Sequence, residues 1–106
     1  MNIQIEVEGT EAIEATQELF AIEGIDGTWE QVTDEREPLT LATIGTIVGI
    51  VGGSMAIAEL IYQWYHRYEQ GKNNQKIEKV LLVGRNGDRI LLKNASIEQI
   101  RKILDS

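Results

Sequence analysis

The 106-residue chain has no cysteine, one histidine and one proline. Without cysteine there is no disulfide scaffold, no thiol nucleophile and no thiolate metal site. A single imidazole removes most zinc sites and every relay that needs two histidines. Bases are scarce as well, ten against 17 acids for a net charge of −7. That balance argues against nucleic-acid binding, which depends on neutralising phosphates. The opening Met1-Asn-Ile-Gln-Ile-Glu-Val-Glu has no basic region or early apolar block, so no secretory signal is expected. These deficits point to a non-enzymatic interaction or membrane module with no cofactor, no metal and no nucleic-acid partner.

Charge is also missing locally. Residues 1–38 hold eleven acids and one base, residues 39–58 no charge at all, and residues 59–106 nine bases against six acids. Basic residues beside an uncharged stretch help to orient a membrane span, and here they would place the C-terminal side in the cytoplasm. The alternative is that acidic and basic portions attract each other within one folded domain.

Alternation of Ile3, Ile5 and Val7 with Gln4, Glu6 and Glu8 predicts a half-buried strand. Thr10 can cap a helix running to about Glu23, with Ala12, Ile13, Ala15, Leu19, Phe20 and Ile22 on its apolar side. Thr28–Val32, with Trp29, reads as a short second strand. Pro38 suits the first turn of a long helix expected to run to about Gln70. A β-hairpin over 76–93 follows, in which Asn86-Gly87 separates Val80–Val83 from Ile90–Leu92. A type I′ turn there would pair Val83 with Ile90 and Leu81 with Leu92, and set Arg85 against Asp88. Both sides of this hairpin are apolar, so it is expected to be central in a sheet or covered on both faces. Ser96 and Gln99 have capping-box spacing before a last helix ending near Leu104. The predicted fold is a single α+β domain, β-α-β-(long Gly-rich helix)-β-β-α, with about four strands.

Leu39–Ala58 is twenty uncharged residues, and as a helix it would span roughly 30 Å, the thickness of a bilayer core. Its eight Leu, Ile and Val residues supply only about −2 to −5 kcal/mol towards insertion. On a helix Ala42, Gly45, Gly49, Gly52, Gly53 and Ala56 would fall within a sector of roughly 100°. Glycine lowers helix propensity by about 1 kcal/mol per residue, which makes sense where another backbone must come close. In lipid that partner would be a second copy of the helix, giving a homo-oligomer; in a water-soluble domain it would be the chain's own strand or helix. Glu59 and Gln63 continue the sector and could line a pore. Tyr62, Trp64, Tyr65, Arg67 and Tyr68 resemble an interfacial belt, which would sit against membrane lipid. The alternative for these aromatics is an amphipathic helix end docked on the sheet. Isolated two-stranded units on either side of a bilayer would be marginal, an objection to a simple transmembrane arrangement.

Three stretches carry a family resemblance: Ile3–Val7 with Thr10–Glu23, then Ile50-Val-Gly-Gly-Ser-Met-Ala56 through Trp64, and Val80–Leu104. The strongest likeness is Gly87-Asp-Arg-Ile-Leu-Leu-Lys-Asn-Ala-Ser-Ile-Glu-Gln-Ile100. In this layout the chain resembles the effector-associated constant component 1 family of prokaryotic conflict systems. The resemblance implies a non-enzymatic component encoded beside peptidase or other effector modules in bacterial antiviral-defence or cell-death loci. With no effector domain in the sequence, the chain would act alone or with a separate partner. The leading expectation is a self-associating, membrane-active, pore-forming component at the inner (cytoplasmic) membrane, or in the cytoplasm before activation. The alternative is a soluble adaptor that couples a protease or other effector protein through the Leu19/Phe20 helix or the hairpin.

Overall fold

The alternation at the N-terminus produces strand β1 (Ile3–Glu8), with Ile3, Ile5 and Val7 fully buried on one side. The computed structural model describes residues 3–9, 11–33, 41–50, 54–69, 77 and 79–105. Along it follow α1 (Ala12–Phe20), β2 (Ile25–Thr33), β3 (Leu41–Ile50), α2 (Ser54–Glu69), β4 (Lys79–Val83), β5 (Arg89–Leu91), a single 3₁₀ turn at Leu92–Asn94, and α3 (Ile97–Asp105). The strands form one antiparallel sheet in the order β2-β3-β1-β4-β5. An α+β fold is therefore present, with five strands rather than about four.

The long helix expected over residues 38–70 is not formed. Residues 41–50 are a strand, and the helix begins only at Ser54. Six of the ten residues of β3 (Thr43, Ile44, Thr46, Ile47, Val48, Ile50) are β-branched and two are glycine, a composition poor for a helix and good for a pleated strand. β3 pairs with β1 over Ala42–Ile47 on one edge and with β2 on the other, so over that stretch it is an inner strand. Its burial alternates: Thr43, Gly45 and Ile47 are buried, while Ala42, Ile44 and Thr46 are half-buried. Among the described residues no helix is long and apolar enough to cross a membrane.

β2 is longer than its predicted core, running from Ile25 to Thr33 with a bulge between Asp26 and Gly27. α1 is shorter than predicted. Glu11 holds its cap position without a side-chain hydrogen bond, and Thr10, the expected cap, lies outside the described residues. The hairpin shifts by one residue: Val83 pairs with Arg89, Leu82 with Ile90 and Leu81 with Leu91. Its loop is Arg85-Asn86-Gly87, closed by Gly84 N–H donating to the Asp88 carbonyl (2.8 Å) and Gly87 N–H donating to the Gly84 carbonyl (3.0 Å). Only the last loop residue needs a left-handed backbone, and Gly87 supplies it at φ +91°. The Asp88 carboxylate takes Asn86 Nδ2 as its donor (3.0 Å), not Arg85. The capping box forms as predicted: Ser96 N–H donates to Gln99 Oε1 (2.9 Å) and Gln99 N–H to Ser96 Oγ (3.2 Å).

The helices share one side of the sheet. Ile3, Ile5, Val7, Ile47, Val80 and Leu82 meet Leu19 of α1, Ile57, Ile61 and Trp64 of α2, and Ile100, Ile103 and Leu104 of α3 in one core. Thr16 and Thr43, the buried polar side chains among the described residues, bond to each other through their hydroxyls, and Thr16 Oγ1 also donates to the Ala12 carbonyl (2.7 Å).

The glycines now separate into three environments. A Cβ on Gly27 would meet the Thr46 carbonyl oxygen at 2.1 Å and the Phe20 ring at 2.8 Å. On Gly45 it would meet the Phe20 ring at 2.6 and 2.7 Å, and on Gly49 only Asp26 Cβ at 3.8 Å. Gly27→Ala should therefore destabilise most, because a backbone group must shift. Gly45→Ala should cost about 1–3 kcal/mol, relieved in part by Phe20→Leu, and Gly49→Ala should be neutral or stabilising. Melting temperatures of the three variants check this; equal losses at Gly45 and Gly49 would restore the shared helical ridge.

Candidate functional site

Of the residues expected to form a packing ridge, Ala42, Gly45 and Gly49 lie on β3, and Ala56 is exposed on α2. Gly52 and Gly53 lie outside the described residues. Ala42 and Gly45 point to opposite faces of the sheet, because side chains alternate along a strand. They therefore form no common surface. The close neighbour of Gly45 is Phe20 of the same chain, a half-buried ring seated over Gly27 and Gly45. Leu19 is fully buried and Phe20 half-buried, so both side chains contribute to the packing of α1 on the sheet.

The aromatic belt turns inward. Trp64 is fully buried and Tyr65 is 5% exposed. The Trp64 indole N–H donates to the Ala15 carbonyl (2.9 Å), and its ring lies against Tyr68 at 6.1 Å between centroids. Tyr68 is half-buried and its hydroxyl donates to the Glu18 carboxylate, which also pairs with exposed Arg67 at 2.9 Å. Glu18 comes from the acidic third of the chain and Arg67 from the basic third, so at this point the two portions meet within one domain. Burial, then the Glu18 carboxylate, pushes the Tyr68 phenol well above its ordinary value. The half-buried ring of His66 packs on Tyr62 (4.3 Å) and on the edge of Tyr65 (5.5 Å). Glu59 and Gln63 do share the outer side of α2, where with Ala56 and Leu60 they line a shallow depression of about 330 Å³.

The surface left over by this packing is the other face of the sheet. Register places its side chains in three rows. One row runs Thr28, Thr46, Gln4, Val83, Arg89, and the next runs Glu30, Ile44, Glu6, Leu81, Leu91. The third is Val32, Ala42, Glu8, Lys79. No described helix covers this face: Leu91 is 42% and Val32 36% exposed, and Ile44, Leu81 and Val83 are half-buried. Among the described residues no helix covers the second face of the hairpin, and β5 is an edge strand of the sheet.

Charge on the open face is divided. Glu6, Glu8 and Glu30 stand on β1 and β2, and Lys79 and Arg89 on β4 and β5. Among the described residues no ion pair joins the two groups. Gln4, Thr28, Glu30, Ile44 and Thr46, with Trp29, line a groove of about 520 Å³ on the acidic side. Sequence reasoning missed this surface, although the two-sided apolar hairpin signalled it. Leu81, Val83 and Leu91 are apolar on the side that no helix covers. Comparison with protein-family models, curated proteins and solved structures finds no significant match.

The raised Tyr68 pKa has a pH consequence. Its stabilisation is fully present below the ordinary phenol value of 10.0 and is lost as pH rises towards the higher folded value. Tyr68→Phe should lower the melting temperature near neutral pH and make its alkaline decline shallower than that of the parent. Parallel alkaline curves would contradict the Glu18 contact.

Proposed function

We propose that this domain is a non-catalytic association component of a bacterial antiviral-defence or programmed-cell-death system, serving a separate effector partner such as a protease. The open sheet face carries the reading. An antiparallel sheet with one solvated face ordinarily shows polar residues there. Here Leu81, Val83 and Leu91 gather on β4 and β5, Ile44 stands on β3 beyond Glu6, and the acids lie on β1 and β2 with the bases Lys79 and Arg89 on β4 and β5. Apolar area rimmed by charge is the pattern of a protein interaction site. The resemblance of residues 87–100 to effector-associated constant component 1 supplies the biological setting.

The membrane-active alternative drew on a continuous helix of bilayer length. With Leu41–Ile50 in the sheet and Trp64 and Tyr65 in the core, the association reading has the better support.

The test is made in cells carrying the native locus and challenged with phage. Leu81→Arg with Leu91→Arg should abolish protection or cell death while the purified variant keeps its melting temperature to within a few degrees. His66→Ala should leave the phenotype intact. A folded open-face variant with full activity, or loss of activity on His66→Ala in a folded protein, would contradict the proposal.

A further inference from the structure

Resting on the reading of the open face as an association surface, we infer that its occupant is a second copy of this chain. The two sheets would stack face to face about a two-fold axis that runs parallel to the strands, between β1 and β4. Such an axis keeps each row over its own row and exchanges columns, so that β4 of one copy lies over β1 of the other and β5 over β3. Strand spacing of about 4.8 Å and an inter-sheet distance of about 10 Å set the scale.

Several charges of this face fit that operation, while Glu6 of each copy falls over Leu81 of the other, one row from Lys79, the cation nearest to it. Arg89 lies in the row of Thr28, Thr46 and Gln4 and is carried over Thr46, into the groove that those residues line with Glu30. Lys79 is carried over Glu8, its row mate. Leu91 is carried over Ile44, which joins the two apolar ends of the middle row. An axis perpendicular to the strands would instead set acidic strands over acidic strands. The opposite charges are unpaired with each other inside the protomer, so they are available across such an interface.

Area sets the strength. The operation overlays β3, β1, β4 and β5, so three strand spacings and a six-residue β1 give an overlap of roughly 15 Å by 20 Å, about 300 Å² in projection. That is at the low end for protein–protein contacts, where association is reversible and concentration-dependent. The dimer would therefore assemble as local concentration rises, bringing bound effector partners together.

Sedimentation of the purified full chain over a concentration series tests this. The mass should rise reversibly from one chain to two, less so at high salt. Glu30→Arg and Arg89→Glu, both at exposed positions, should each weaken the dimer by at least about tenfold by setting like charges together. An equimolar mixture of the two variants should regain it, as should the double variant, because each introduced charge then faces its opposite. Thr46→Arg, under the incoming Arg89, gives an independent block should either charge reversal fail to fold. A parent chain that stays single at every concentration, or variants that pair as tightly as the parent, or a mixture that does not pair, overturns the inference. The measurement needs no effector or locus, so its failure is separable from that of the association reading, which shows as unchanged activity of the open-face variants in cells.

Discussion

The placement of one ring decides how close the helical layer can come to the sheet. Phe20 ends α1 and rests on Gly27 and Gly45, diagonal positions on β2 and β3 where any side chain would hold it off. With α1 lowered there, Thr16 reaches Thr43, the Ala15 carbonyl meets the Trp64 indole, and Glu18 stands beside Tyr68 and Arg67. The first of these ties α1 to β3 and the other two seat α2 on α1, and α2 in turn packs against α3. The apolar bulk of the chain is thus gathered on a single side of the sheet, and the opposite side is left with its own mixture of apolar and charged groups.

This arrangement explains why a glycine pattern can be read in two ways. Gly45 and Gly49 are four apart, which places them together on a helix and also on one side of an unbulged strand. Their presence does signal close approach, but at Gly45 the approaching group is an aromatic ring from the same chain. The β-branched content of Leu41–Ile50 favoured a strand; the lack of charge, which suggested lipid, arises because β3 lies inside the sheet with a partner on each edge. In the same way Trp64 and Tyr65 are buried in the core, Trp64 against α1 through Ala15.

Local chemistry was legible where it is closed within a few residues. The alternation of β1, the reciprocal bonds of Ser96 and Gln99, and the turn at Asn86-Gly87 all follow from neighbours in sequence. The hairpin register was not, because a loop with one left-handed residue and a loop with two both accept Asn-Gly. Nor was the open face, since the partition of Leu81, Val83 and Leu91 to one side and Val80 and Leu82 to the other becomes visible only when the helices are known to occupy a single layer. A surface assembled from five strands has no contiguous signature in the chain. The association surface is built from rows across the sheet and not from a run of residues along the chain.

The central claim is that residues 41–50 are an inner strand held beneath Phe20, since the open face exists only if they are. Nuclear Overhauser effects measured on the labelled protein test this directly. The account expects cross-strand Hα–Hα contacts linking β3 to β1 and β2, and contacts from the Phe20 ring protons to Hα of both Gly27 and Gly45. Sequential helical contacts through residues 41–50, with no Phe20 contact to either glycine, would contradict it.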